Sequence, residues 1–409
     1  MIGVDEALAQ ILAAVTPLPP VELPLLATLG LTLAEDVVAP HDVPPYRNSA
    51  MDGYAVRAAD IAGASRERPA RLAVVASIAA GHPSEVAIGP GEAARIMTGA
   101  AMPAGADTVV RFEETDETPG ERGERRTVQI YRAARLGENV RWPGEDVRAG
   151  AVVLAAGTPL RAAEIGLLAS LGQARVPVHR RPRVALFSTG DEVVAIDAPL
   201  APGQLRDSNS YTLASLVRRY GGEPAPLGIA RDRLDELRRV LAAGAAYDLV
   251  ISSAGVSAGD YDVVKQALQA EGQIDLWQVN MKPGRPLAFG RLGRTPYLGL
   301  PGNPVAAMVS FEIFGRPLLL RLLGRRSVDK PRLRATALER LENGSARRHF
   351  VRVRVEPTPA GSFVCRLAGD QGAGVLTSMV LANGLAVVRE GVTAIEPGEP
   401  VEVLMLDWD

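Results

Sequence analysis

Cysteine is all but missing. Cys365 is the only one in 409 residues, so an internal disulfide framework, a CxxC redox pair and a cysteine-rich zinc or iron–sulfur site are excluded. Histidine is scarce as well: His41, His82, His179 and His349 lie far apart, and no HExxH-type zinc pair can form from them. No uncharged apolar run reaches about 18 residues, the least a spanning helix needs. The stretch from Met1 to Glu6 lacks the basic residues that open an export signal. A cytoplasmic protein with no membrane partner is therefore expected. Neither sign of charge dominates, since 45 basic residues face 47 acidic ones for a formal net charge of -2, which removes the electrostatic case for nucleic acid. Lysine is the other scarcity. Only Lys265, Lys282 and Lys330 stand among the 45 cations, so a lysine in a tight loop is either a survivor of compositional bias or a residue kept for its compact charge.

What is present is an ordinary globular composition, 47% hydrophobic and 22% charged, over a length that suggests roughly two to four domains. Val4, Leu8, Ile11, Leu12 and Val15 recur at helical spacing before the Pro17, Pro19, Pro20 cluster. From Val37 to Arg132 the pattern turns to short β-like runs such as Leu72–Ala76 and Thr108–Phe112, with Glu113–Arg126 as an exposed loop or hairpin tip. Isolated Met51 and Met97 read as core. Beyond Arg183, the apolar runs Val184–Ser188, Leu227–Ala230, Leu249–Ser252, Ile274–Val279 and Tyr297–Leu300 have strand length, and helical stripes separate the first four. A turn-rich Lys282–Arg294 segment leads to the last of them, and Val305–Leu323 reads as one long helix. Such βα repetition predicts a mainly parallel sheet covered on both faces, with ligands outside the carboxyl ends of its strands. After Lys330-Pro331 the alternation Val351-Arg352-Val353-Arg354-Val355-Glu356 predicts a small C-terminal β domain.

Four loops then converge, because each directly follows a strand. Ser188-Thr189-Gly190-Asp191-Glu192 joins hydroxyls, a permissive glycine and two carboxylates; it is either a capped turn or a reactive strand end. Ser252 to Asp262 is rich in small residues that let an oxyanion approach backbone N–H groups, and its Asp260 and Asp262 can cap a helix or hold a hard cation. Lys282-Pro283-Gly284-Arg285-Pro286 holds two cations on a stiffened loop, a solvated turn or an anion clamp. In Gly299-Leu300-Pro301-Gly302-Asn303-Pro304, Asn303 can cap the following helix while Pro304 takes its first turn, leaving N–H groups for an anion. No GxxxxGK[ST] sequence occurs, which argues against a P-loop hydrolase.

Taken in order, Asn48–Val56, Met97–Ala100, Gly137–Arg141 with Gly144–Asp146, Phe187–Glu192, Gly255–Asp262, Lys282–Pro286 and Leu300–Pro304 match the arrangement in molybdopterin molybdotransferases. The chain resembles the MoeA-type proteins, and the E domain of gephyrin, over nearly its whole length. That resemblance implies a multidomain α/β plus β fold. A split N-terminal domain would take 1–45 and 141–176, a protruding β-rich domain 46–140, a central doubly wound, mainly parallel α/β molybdopterin-binding domain 177–328, and a C-terminal β barrel 329–409.

The resemblance further implies a homodimer with an active site shared between subunits, Asp52, Thr98 and Asp146 of one copy facing the central loops of the other. The implied reaction inserts molybdenum from molybdate into adenylylated molybdopterin, with magnesium-dependent release of AMP. Matching position by position assigns catalytic roles to Asp52, Thr98, Asp146, Glu192, Asp232, Asp262 and Lys282, with Glu192 and Asp262 as metal ligands. Substrate binding falls to Ser253, Gly255, Ser257, Gly259, Lys282, Arg285, Pro301, Gly302, Asn303 and Pro304. Partners implied are the molybdopterin adenylyltransferase and apo-molybdoenzymes or their chaperones. Departures from the family pattern are Ala254 where glycine is common, Gln278 and Arg285 where some members have lysine, and Trp142-Pro143, which interrupts the basic run often found before Gly144. A non-catalytic dimeric scaffold of the same fold and a tungstate-preferring transferase are the alternatives.

Overall fold

The computed structural model describes residues 1–83, 85–117, 125–254, 267 and 272–408. Two compact units emerge: Met1–Glu35, Ala156–Ala162 and Arg175–Asp409 in one, Asp36–Ala155 and Ala163–Ala174 in the other. In the first unit the amphipathic start forms helix α1 (Val4–Ala13), whose Val4, Ala7 and Ile11 are buried. The βα alternation then gives β1 (Arg183–Thr189), α2 (Asn209–Arg219), β2 (Glu223–Ala230), α3 (Leu234–Gly244), β3 (Leu249–Ser253), β4 (Gln273–Gln278), β5 (Pro286–Leu292), β6 (Thr295–Leu300) and α4 (Pro304–Ser310). The sheet order is β2-β1-β3-β6-β5-β4. Pairings among β2, β1, β3 and β6 are parallel; β5 runs antiparallel to both β6 and β4.

All residues of β3 and β6 are buried, as is every residue of β1 but the first, which is what strands covered on both faces require. One face, with Val184 and Leu186, packs on α1, α2 and the helix after β6; the other, with Ala185 and Phe187, packs on Leu237, Val240 and Leu241 of α3. The expected turn-rich segment Lys282–Arg294 instead contains β5. Gly290 and Gly293 disguise it, yet Leu287, Ala288 and Phe289 are buried, and a side chain at Gly290 would collide with the Gln273 carbonyl of β4. The long final helix is continuous but not uniform: a π-helical segment Phe311–Gly315 separates α4 from α5 (Arg316–Leu322).

The C-terminal pattern closes into a barrel of β7 (Arg332–Ala337), β8 (Arg348–Pro357), β9 (Phe363–Leu367), β10 (Gly384–Val388) and β11 (Pro400–Met405), paired in the circular order β8-β9-β7-β11-β10. Its core holds Val351, Val353, Val355 and Cys365, whose thiol burial pushes up to about 11, so it stays protonated and inert. Simple alternation would put Arg352 in water; it is fully buried.

In the second unit, Gly53–Val56 pairs with both Thr108–Arg111 and Glu92–Ile96, and Ala70–Ile78 and Thr127–Ile130 complete a five-stranded sheet. Gly53 has a steric reason to be glycine, since a Cβ there would sit 2.0 Å from the Val110 carbonyl oxygen. Met51 is 36% exposed rather than core, because it lies on the turn before that strand.

Candidate active site

Register settles where the central loops begin. Thr189 lies opposite Ala230, Ser188 opposite Ser253, and Ser253 opposite Leu300, so β2, β1, β3 and β6 end level with one another. Gln278 at the end of β4 lies opposite Pro286 at the start of β5, so the turn carrying Lys282 and Arg285 emerges at the same edge. Glu192 and Asp232 follow neighbouring strands β1 and β2; Ser253, Pro301, Gly302 and Asn303 follow β3 and β6; Lys282 and Arg285 follow β4. With strands about 4.8 Å apart, the edge runs from carboxylates through small residues to cations, a span suited to an extended substrate. Gly255, Ser257, Gly259, Asp260 and Asp262 lie outside the described residues.

Contacts tie these loops together. The Asn209 Nδ2 donates to Ser253 Oγ at 2.5 Å and to the Gly302 carbonyl at 2.7 Å. Ala254 N–H donates to the Leu300 carbonyl, and a Cβ on Gly302 would lie 3.1 Å from the Ala254 methyl. Ala254 has φ +71°, the left-handed region in which glycine is at ease, so the family's glycine there has a backbone cause. Gly284 sits against α4, where a Cβ would meet Ser310 Oγ at 2.3 Å. This locks the cation loop onto the helix that Pro301–Pro304 opens. Asn303 occupies the N-cap position with no side-chain cap bond, so the expected cap is positional only.

Charge is exposed selectively at this edge. The Lys282 ammonium makes no hydrogen bond or ion pair among the described residues. It pairs in register with His349 of β8. His349 Nδ1–H donates to the Glu342 carbonyl, and Nε2 has no partner among the described residues; burial, then the cations Lys282, Arg352 and Arg347, holds its pKa down to about 4, so it is neutral. Arg352 is the residue that sequence reasoning missed. It donates to Ser378 Oγ and to the carbonyls of Asp370 and Gly372, while its buried Nη1 has no hydrogen-bond partner among the described residues. The adjoining Ala373 carbonyl accepts from Val305 N–H at the start of α4, which brings the Arg352-held loop to the same helix terminus. Asn209 was also missed, although the polar run Asp207-Ser208-Asn209-Ser210 ahead of an apolar stripe is a helix-start signal. Within that run Asp207 Oδ1 accepts from Ser188 Oγ and Ser210 N–H, fixing α2 to the end of β1.

On the carboxylate side, Glu192 is exposed and folds over Gly190, where a Cβ would lie 2.5 Å from its Oε2. Asp232 is partly buried. Among the described residues no three His, Cys, Asp or Glu side chains form a ready-made ion cage. An oxygen-only set of one or two carboxylates fits magnesium, which keeps its waters and takes further ligands from phosphate.

In the second unit, Asp52 and Thr98 come together. Thr98 N–H and Oγ1–H both donate to Asp52 Oδ1, at 2.6 and 2.8 Å, and those two bonds lower the Asp52 pKa. The backbone explains the meeting: Ser49 N–H donates to the Ala100 carbonyl and Gly99 N–H to the Ser49 carbonyl. Asp146 is exposed on the turn after Val140–Arg141, which pairs with Asn48–Ser49; its N–H donates to the Val43 carbonyl.

Comparison with known proteins gives this arrangement a lineage. Three family models match in chain order: "MoeA N-terminal region (domain I and II)" over residues 2–172, "Probable molybdopterin binding domain" over 185–321, and "MoeA C-terminal region (domain IV)" over 334–406. A molybdopterin molybdenumtransferase of Nostoc sp. is 41% identical over 388 residues, 93% of this chain and 88% of its own. Molybdopterin molybdenumtransferase 2 of Mycobacterium tuberculosis is 39% identical and covers 95% of each chain. Among solved structures, the molybdopterin biosynthesis MoeA protein from Pyrococcus horikosii matches with a TM-score of 0.81 at 32% identity, covering 100% of this chain and 99% of that one. With family models over most of its length and full-length relatives behind it, the chain belongs to the MoeA family of molybdopterin molybdenumtransferases.

Proposed function

We propose that the carboxyl edge of the central sheet binds adenylylated molybdopterin together with molybdate and exchanges the adenylyl group for the metal. Water attacks the adenylyl phosphorus, the phosphoanhydride P–O bond breaks, AMP leaves with the new oxygen on its phosphate and molybdopterin keeps its own terminal phosphate; its two thiols bond molybdenum as one molybdate oxygen leaves as water with the two thiol protons. The observation that carries this reading is the register that gathers five strand-end segments beside two cations, Lys282 and Arg352, with unused donors.

Each group has a task its chemistry suits. Lys282, Arg285 and the Arg352 Nη1 supply donors for the dianion of molybdate. Ser253 and the loop from Pro301 to Pro304, with Gly255, Ser257 and Gly259, let backbone N–H groups approach phosphate. Glu192 and Asp262 would hold magnesium, which offsets phosphate charge when bound; Asp232 orients or accepts a proton beside them. In this reading the protein acts as a cytoplasmic homodimer, and Asp52, Thr98 and Asp146 of a second copy complete the site. Thr98 keeps Asp52 ionised and aimed.

Purified protein given adenylylated molybdopterin, molybdate and magnesium should release AMP and yield cofactor that activates an apo-molybdoenzyme. Asp52→Asn and Lys282→Gln should each be inactive alone. Mixed dimers of the two should regain about a quarter to half of wild-type AMP release, because one of their two sites is intact. Full activity in either single variant, or no AMP from a folded wild-type dimer, would contradict the reading.

A further inference from the structure

Trp142 interrupts the run before Gly144 that is often basic in the family, and the structure gives it an unusual mounting. It is 49% exposed in a chain with three tryptophans. The Arg47 guanidinium lies over its ring, 5.6 Å from the centroid. Its edge rests on Gly137, where a Cβ would lie 3.7 Å from Cζ2 and Nε1. Trp142 N–H donates to Glu145 Oε2, and the N–H groups of Gly144 and Asp146 donate to the carbonyls of Pro44 and Val43. The turn is thus fastened to the segment that carries Arg47, and the ring is fixed before any ligand arrives. The guanidinium groups of Arg47 and Arg141 make no hydrogen bond or ion pair among the described residues. The same segment leads directly to the Asp52–Thr98 pair, for Met102 N–H donates to the Arg47 carbonyl and Asn48 bridges to Ala101.

A large aromatic face held in water, backed by a guanidinium that has no hydrogen-bond or ion-pair partner among the described residues, is what a flat heteroaromatic ring bearing phosphate requires. Stacking on such a face tolerates different ring systems because each presents a π-face; rigidity removes the ordering cost. We propose that Trp142, backed by Arg47, is the platform on which a fused heteroaromatic ring of the substrate stacks, beside the Asp52–Thr98 pair. This rests on the proposed reaction, which offers two such rings: the adenine of the nucleotide and the pterin.

The test separates the two rings and separates this inference from the reaction itself. Intrinsic fluorescence of wild type and Trp142→Phe is titrated with AMP in one arm and pterin-6-carboxylate in the other. Quenching present in wild type and missing in Trp142→Phe is expected in at least one arm, and the arm that responds names the ring. In turnover, Trp142→Ala should raise KM for adenylylated molybdopterin about tenfold with kcat within twofold, and Trp142→Phe should restore most of the affinity. Normal turnover with no Trp142-dependent quenching in either arm overturns the platform and leaves the reaction standing. Quenching without AMP release in wild type does the reverse. A Trp142→Ala protein that loses its dimer, with no quenching in the parent, makes the ring a protein contact and also overturns it.

Discussion

Two lysines of this arginine-rich chain stand in opposite surroundings. Lys330 Nζ is buried between Glu312 Oε2 at 2.9 Å and Tyr220 Oη at 3.0 Å, and the Tyr220 hydroxyl donates to the same carboxylate. Glu312 lies in the π-helical segment, and the Arg316 guanidinium covers the Tyr220 ring at 5.2 Å. Lys282, by contrast, is partly exposed at the sheet edge, and its ammonium has no hydrogen bond or ion pair among the described residues. A satisfied buried cation holds helix and barrel segment in place; an unsatisfied one at a strand end is available to a ligand. Residue type alone does not separate them, whereas partners and burial do.

Substitutions can break that contrast. Lys330→Met leaves Glu312 charged and buried, and should cost about 3–5 kcal/mol in urea unfolding with AMP release per folded molecule unchanged. Adding Glu312→Leu should return most of that stability, because the pair rather than the lysine is then removed. Lys282→Gln should do the opposite: AMP release falls about 100-fold or more, while unfolding shifts by less than about 0.5 kcal/mol. Equal stability losses in the two single variants would erase the distinction.

The neighbour of Lys282 sharpens it. His349 has a folded pKa near 4 against an ordinary 6.5, so the unfolded chain binds its proton first as pH falls. The stability tied to neutral His349 is present above pH 6.5 and is lost as pH drops toward 4, by at most about 3 kcal/mol. His349→Gln should flatten that part of the profile and leave the carboxylate-dependent part below it. The smallest effect falls at Ala254. Its left-handed φ costs about 1 kcal/mol, so Ala254→Gly should raise stability by roughly that amount, less the entropy that glycine adds to the unfolded chain.

The same contrast explains what could be read from the chain. Strand-end loops were legible because apolar runs of strand length fix where each loop begins, and parallel pairing then sends those loops to one edge. The antiparallel strand Pro286–Leu292 was hidden because its glycines relieve backbone contact while resembling turn residues. Arg352 was hidden because alternation specifies a face of the strand, and here that face lies under the loop Asp370–Gly372. The Asp52–Thr98 bond joins residues far apart in the chain, so only the family resemblance pointed to it. No local pattern reveals that Lys330 is bound and Lys282 is not.

Equilibrium dialysis of labelled molybdate against the folded protein tests the central claim most directly, since it asks whether the cations at the sheet edge hold an oxoanion before any chemistry occurs. Wild type and Lys330→Met should retain molybdate equally, and Lys282→Gln should bind it at least tenfold more weakly. Retention by Lys282→Gln equal to that of wild type would contradict the account.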